Sequence, residues 1–138
     1  MRYLLYFMLF ILFSCTENAM NQKNISVKGL VADSITRMPI ANARVTILCW
    51  YHAGWDKTDY ISIDTLTDKS GYFSAKFEKG YKVVVASIAT KYHPNLAASE
   101  EFDGNNIEIN VVLGKKTDTT GISSSINLRN YIIQNSSN

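Results

Sequence analysis

The chain has 138 residues, of which 46% are hydrophobic and 19% charged, and its formal net charge is +2 at pH 7. The length suits one domain, and the composition excludes a disordered tail, a collagen-like fibre and a disulfide-stapled miniprotein. The near-zero charge argues against a nucleic-acid-binding protein, which usually carries a strong basic excess.

The first residues predict an export signal. Arg2 precedes an unbroken apolar run over residues 3–13, which is shorter than the ~20 residues of a membrane-spanning helix and has the length of a signal-peptide core. Residues 12–15 read Leu-Phe-Ser-Cys and resemble a bacterial lipobox, with an aliphatic residue three positions before the cysteine and a small residue directly before it. The alternative is an ordinary secretory signal followed by a chance cysteine.

The lipobox resemblance implies that residues 1–14 are a lipoprotein signal peptide and that Cys15 is lipidated by acyl chains such as palmitate. Thr16 follows the lipidation site, and by lipoprotein sorting rules the absence of aspartate there favours the outer membrane. Residues 15–24 are polar and without periodicity, so they predict a lipidated tether. We therefore expect a protein of the cell envelope, with the face of the membrane left open.

Residues 25–113 alternate short β-type runs with turn signals, which predicts an all-β antiparallel sandwich of six to seven strands. The alternation implies one apolar and one wet face, as is typical of antiparallel sheets. Residues 81–88 are the most apolar run and contain Val83, Val84 and Val85. Loops are expected over residues 52–57 and 89–105. The six predicted strands cover residues 25–32, 43–51, 60–66, 72–77, 81–88 and 106–113.

Residues 114–138 form a polar tail that begins with a linker-like stretch rich in lysine, threonine and serine. Apolar side chains return at Ile126, Leu128 and residues 131–133. The composition leaves three structures open for this part of the tail: an extra strand, a short helix or an unfolded end.

Cys49 is the second of two cysteines in the chain. If Cys15 carries lipid, one thiol remains and an internal disulfide is excluded. Cys49 lies in the apolar run of residues 45–51, where free cysteine behaves as a small hydrophobe. We therefore predict a buried structural thiol rather than a reactive one.

Five motifs occur in order along residues 27–113. The motif residues are Val27, Gly29, Val31 and Asp33; Pro39, Ile40, Ala43 and Val45; Thr67, Asp68, Gly71 and Phe73; Gly80, Tyr81, Val83 and Val85; and Ile109, Val111 and Leu113. Together these motifs resemble the carboxypeptidase regulatory-like domain. That resemblance implies a transthyretin-like or Ig-like β-sandwich without catalytic residues of its own. It also implies an accessory role, since larger relatives carry this domain beside envelope receptors and peptidases.

The sequence contains no recognisable catalytic constellation. Its two histidines, His52 and His93, have no histidine or glutamate three or four residues away, as a zinc carboxypeptidase site would need. Phosphate-loop, nucleophile-elbow and paired-cysteine motifs are missing. We therefore predict a protein that is not an enzyme and has no catalytic residues, metal or cofactor. A hydrolase would require both histidines to converge with acidic residues in the fold.

Trp50, Trp55 and Tyr60 are the candidate ligand-binding residues, because they surround the aromatic loop after the second strand. Exposed planar rings stack on sugars or on a protein partner. The alternative is packing, with Tyr51 in the core and Trp50 over a sheet edge. Two functions follow: a lipid-anchored interaction module for an envelope protein partner, or a module that binds carbohydrate or another small ligand through the aromatic loop. No nucleic-acid partner is expected.

Overall fold

A computed structural model describes residues 21–99, 101–102, 104–117 and 126–136 of the chain. The predicted signal peptide, Cys15 and most of the tether lie outside these ranges, as do residues 118–125 of the tail. Among the described residues, none belongs to a helix with the length and apolarity that crossing a bilayer requires.

Eight strands and one helix make up the described fold. The elements are β1 (Gln22–Asp33), β2 (Arg44–Gly54), β3 (Lys57–Leu66), β4 (Tyr72–Gly80), β5 (Lys82–Ile88), β6 (Asn95–Ala98), β7 (Asn106–Glu108), β8 (Val111–Leu113) and α1 (Leu128–Asn135). One sheet has the order β4-β1-β7, with β8 also paired with β1, and the second sheet has the order β3-β2-β5-β6. The predicted all-β sandwich is therefore confirmed.

The core lies between the two sheets and is built from alternate residues of each strand. In β4, for example, Phe73, Ala75 and Phe77 are buried, and the residues between them are exposed. Each fully buried large apolar side chain stabilises the fold by about 1.5–3 kcal/mol relative to exposure. The other large core side chains are Ile25, Val27, Val31, Val45, Ile47, Val83, Val85, Ile107, Ile109, Val111 and Leu113.

The last predicted strand, residues 106–113, is divided into β7 and β8, and both run parallel to β1. This corrects the antiparallel expectation for this part of the fold. At the division, Asn110 Oδ1 accepts a hydrogen bond from the Leu30 backbone N–H at 2.8 Å, and Ile109 N donates to the Lys28 carbonyl at 3.0 Å. The asparagine side chain thus takes the place of a backbone carbonyl in the hydrogen-bond ladder between β1 and its parallel partners.

Three boundaries also differ from the sequence prediction. β1 begins at Gln22, so the predicted tether of residues 15–24 ends earlier than expected. The predicted loop of residues 52–57 is mostly hairpin, because β2 and β3 continue to the pair Gly54–Lys57. The predicted loop of residues 89–105 contains β6, which has four residues and pairs with β5, too short a strand to give a clear alternation signal.

Helix α1 lies in the part of the tail for which the sequence allowed an extra strand, a short helix or an unfolded end; the structure shows the short helix. Its N-cap is Asn127, whose side-chain oxygen accepts from Asn130 N at 3.2 Å. Leu128 and Ile132 are buried and pack on the outer face of the second sheet. This cover explains why β5 is apolar on both faces. The side chains beneath the helix are Leu48, Val84, Ala86 and Ile88, with Trp50 and Tyr60 at the margin.

The strand registers define two ends of the sandwich. At the end where β1 begins, Gln22 pairs with Gly80 and Trp50 pairs with Lys82; we call it the proximal end. At the opposite, distal end, Arg44 pairs with both Leu66 and Ile88. The β2–β3 hairpin turn therefore lies at the proximal end, and the loop after β1 lies at the distal end.

Candidate functional site

The three candidate aromatic residues do not form one platform. Trp50 and Tyr60 are cross-strand partners, with ring centroids 5.0 Å apart and planes tilted by 57°. Both are half-buried and pack against the cluster under α1. Trp55 stands apart in the hairpin turn, where 84% of its surface is exposed. The structure thus brings together two of the predicted residues and separates the third.

A shallow cleft lies beside Trp50, and its volume is about 210 Å³. Pockets for small ligands usually enclose roughly 300–1,000 Å³, so this cleft is small for such a site. Beside it, His52 stacks on Tyr81 with ring centroids 4.2 Å apart. Carbohydrate binding through the aromatic residues stays a prediction. The cleft is lined by Trp50, Thr58, Tyr81, Lys82, Ile133 and Ser136.

The two histidines lie at opposite ends of the sandwich. His52 is near the end of β2, at the proximal end. His93 lies at the distal end, where its backbone N–H donates a hydrogen bond to the Gly114 carbonyl at 2.9 Å. Convergence of the two histidines, which the hydrolase hypothesis required, is therefore absent. Within the described ranges, no group of three or more histidine, cysteine, aspartate or glutamate residues is placed to hold a metal ion.

Cys49 is fully buried in the core, as its apolar surroundings predicted. Its Sγ lies 3.6 Å from the Lys79 carbonyl oxygen, and a Cβ added to Gly80 would overlap it. Burial raises the pKa of the Cys49 thiol to about 12. The thiol is therefore protonated at neutral pH and closely surrounded by other atoms.

We expect Cys49 not to react with a disulfide reagent at mildly alkaline pH while the protein is folded. The physical reason is that the thiolate is the nucleophile. The raised pKa keeps the thiol protonated, and burial keeps the reagent from reaching the sulfur. The measurement is the release of thionitrobenzoate by the Cys15→Ser variant, in which Cys49 is the only thiol. The same variant in guanidinium chloride should release one equivalent. Equal rates with and without denaturant would contradict the buried position.

Asp33 fixes the loop that follows β1 at the distal end. Its Oδ1 accepts from the backbone N–H groups of Thr36 at 2.9 Å and Ile35 at 2.8 Å, and its Oδ2 accepts from the Tyr92 hydroxyl at 3.0 Å. The bonds from Thr36 and Ile35 lower the pKa of Asp33 to about 2. The carboxylate therefore supports the loop at neutral pH, and this contribution is lost as pH falls below the unfolded value of ~3.9 towards the folded one.

The loop held by Asp33 exposes two large apolar side chains, with Ile35 82% and Met38 66% exposed. Leu66 at the end of β3 and Tyr72 at the start of β4 are also exposed at this end. We call these four residues the apolar distal surface. The sequence prediction missed this surface, because residues 33–39 lie between the first two predicted strands and were not considered as a binding site. The available signal was two large apolar residues in an otherwise polar turn.

The central motif of the family resemblance has a structural role. The buried hydroxyl of Thr67 accepts from Ala43 N at 2.9 Å and donates to the Ile40 carbonyl at 2.7 Å. Asp68 Oδ1 accepts from Tyr72 N at 2.9 Å. Gly71 has φ 77°, a conformation that glycine adopts without a steric cost. These residues hold the hairpin and the neighbouring loop in place.

No protein-family model matches the chain, and the search of curated proteins finds no match either. Solved structures do share its fold. Catechol 1,2-dioxygenase of Acinetobacter radioresistens is 15% identical, with a TM-score of 0.51, over 75% of this chain and 55% of that one. 3-Chlorocatechol 1,2-dioxygenase of Rhodococcus opacus 1CP is 11% identical, with a TM-score of 0.54, over 73% of this chain and 63% of that one.

The pilus 2b backbone protein of group B streptococcus is also similar. It is 11% identical, with a TM-score of 0.53, over 68% of this chain and 42% of that one. The chain thus spans less than two thirds of each of these three proteins. At such identities the likeness shows the fold alone, and this β-sandwich occurs in both dioxygenases and a pilus protein. Membership of the carboxypeptidase regulatory-like family stays a prediction.

Proposed function

We propose that this protein is a non-enzymatic interaction module of the bacterial cell envelope, anchored by lipid at Cys15, and that its apolar distal surface binds an envelope protein. The observation that carries the proposal is the position of that surface. It lies at the end of the sandwich opposite to the end where the chain enters from the tether.

The chain geometry supports a distal surface that faces away from the membrane. Five residues, 16–20, lie between Cys15 and Asn21, so the Cα atoms of these two residues are at most ~20 Å apart. β2 has 11 residues and runs from the distal to the proximal end, a length of about 35 Å. A lipid at Cys15 would hold the proximal end near the bilayer and leave the distal end accessible to a neighbouring protein.

The character of the distal surface supports a protein partner. Single exposed apolar side chains are common on soluble proteins, so the grouping is what matters. Four of the seven exposed large hydrophobic side chains among the described residues lie at this end. Methionine and aromatic residues are enriched in protein interfaces. Because Asp33 holds the loop of Ile35 and Met38 in place, ordering it on binding would cost little entropy.

The non-enzymatic part of the proposal has separate support. His52 and His93 lie at opposite ends of the sandwich, and the Cys49 thiol is buried and protonated. The resemblance to the carboxypeptidase regulatory-like domain implies the same accessory role. The fold is neutral on this point, since similar sandwiches occur in dioxygenases as well as in a pilus protein.

The test is affinity capture from detergent-solubilised envelopes with the lipidated full chain as bait. We expect one envelope protein to be retained in stoichiometric amount. Changing Ile35 and Met38 together to serine should reduce its retention at least ~10-fold, because central apolar anchors carry most interface energy. Ile61→Ser, an exposed apolar change on β3, is the matched control and should retain the partner.

Two results would contradict this proposal. The first is no retained partner for the unchanged chain. The second is equal retention by the double serine variant and the unchanged chain. Intact-mass spectrometry at Cys15 tests the lipid anchor separately.

A further inference from the structure

Trp55 is the most exposed large hydrophobic side chain of the described residues, with 84% of its surface accessible. Because Gly54 pairs with Lys57, Trp55 and Asp56 alone form the β2–β3 turn. Asp56 has φ 54°, a left-handed conformation that aspartate tolerates. Such turns favour glycine, asparagine, aspartate and serine. The fold therefore gives no reason for an indole at this position.

The hairpin turn is fixed beside the point where the chain enters the sandwich. The Asn21 side chain makes two hydrogen bonds with the backbone of His52, since Nδ2 donates to the His52 carbonyl and the His52 N–H donates to Oδ1, each at 2.9 Å. His52 precedes Trp55 by three residues. The exposed indole and the end of the tether are thus held together at the proximal end.

We propose that Trp55 contacts the bilayer that holds the lipid of Cys15, with its indole in the headgroup region. The proposal rests on the lipid anchor of the proposed function. Tryptophan is enriched at membrane–water interfaces, because its ring is largely apolar and its N–H is polar. A lipid surface is the partner that the position favours, since only five residues separate Cys15 from Asn21 at this end.

The dimensions allow the contact without strain in the tether. The chain length allows the Cα atoms of Cys15 and Asn21 to be up to ~20 Å apart, and the hairpin extends about 7 Å beyond His52. Once the lipid is inserted, the second contact is intramolecular, with an effective concentration in the millimolar range. One indole that binds membranes only weakly is therefore sufficient to orient the anchored domain.

The charges around the turn indicate an apolar contact rather than an electrostatic one. Lys57 lies next to the turn, and Lys23 pairs with Lys79 at the same end. Lys23 and Lys57 can extend towards lipid phosphates, whereas the Nζ of Lys79 lies 4.4 Å from the centroid of the Tyr51 ring. Asp56 and Asp59 are exposed nearby and offset this positive charge. We therefore expect the contact to persist at high salt, because interactions between exposed charges are screened there.

The experiment measures tryptophan fluorescence of the lipidated full chain in vesicles of phosphatidylethanolamine and phosphatidylglycerol. One set of vesicles also contains phosphatidylcholine brominated near the headgroup end of its acyl chains, which quenches nearby indoles. The comparison is between the unchanged chain and Trp55→Phe, a substitution at a site exposed to solvent that should preserve the fold. The remaining Trp50 is half-buried beside α1 and serves as the internal control.

We expect brominated lipid to reduce the emission of the unchanged chain roughly 1.5-fold and to leave that of Trp55→Phe nearly unchanged. Flotation of the vesicles, with Cys15→Ser as the unanchored control, distinguishes the two proposals. A chain that floats but is not quenched would overturn the Trp55 contact and leave the anchor in place. A chain that behaves like Cys15→Ser in flotation would overturn the anchor and the contact together.

Discussion

Gly29→Ala is expected to destabilise the sandwich by about 3 kcal/mol, because the added methyl group has no space. A Cβ at residue 29 would overlap the Ile109 carbonyl oxygen and lie 2.7 Å from Cζ of Phe73. The obstructing carbonyl is backbone at the division between β7 and β8, so it cannot move aside as a side-chain end could. Relief of the overlap would separate β1 from its parallel partners.

The measurement is the free energy of unfolding in urea, with full-length Cys15→Ser protein as the common background. The matched control is Gly54→Ala. At residue 54 no atom lies within 4 Å of an added Cβ, and we expect a change below ~0.5 kcal/mol. Equal urea midpoints for Gly29→Ala and the background protein would show that β1 does not approach Ile109 as described.

Ile132→Ala is expected to cost about 3 kcal/mol, because it removes a fully buried side chain and leaves a cavity. The cavity would lie between α1 and the outer face of the second sheet, over Val84 and Ala86. Urea unfolding is again the measurement. Limited proteolysis reports release of the helix, and we expect the variant to be cut first in the tail.

Gln134→Ala is the control for this second prediction. Residue 134 is an exposed position of the same helix, and alanine has the highest helix propensity. The free energy of unfolding should therefore be unchanged or slightly higher. If Ile132→Ala were as stable as Gln134→Ala, α1 would not contribute to the folded domain.

The sandwich could be predicted from the sequence wherever a strand has one buried and one exposed face. In β4 the buried Phe73 and Phe77 alternate with exposed neighbours, and this period of two identifies a strand without knowledge of its partner. The division of β7 from β8 could not be predicted. This division depends on the hydrogen bond from the Leu30 backbone N–H to the Asn110 side chain, and these two residues are 80 positions apart in sequence.

The helix and the candidate site could be predicted less well, because their positions also depend on contacts with residues distant in sequence. Only Leu128 and Ile132 of α1 are buried, so the apolar periodicity of the tail is weak. The clearer signal was β5, whose two apolar faces require a cover on each side. Residue type alone cannot separate Trp50 from Trp55, because the strand register places one opposite Tyr60 and the other in a turn.

The pairing of β1 has a consequence for the order of folding. Val27 in this strand is paired with Ala75 and Ile107, so the strands that pair with β1 are all distant from it in sequence. Chains dominated by such distant pairings fold slowly, because long loops must close before the contacts form. The first sheet cannot be completed until residues up to Leu113 have been synthesised. The lipidation proposed for Cys15 would therefore have time to occur before the first sheet is complete.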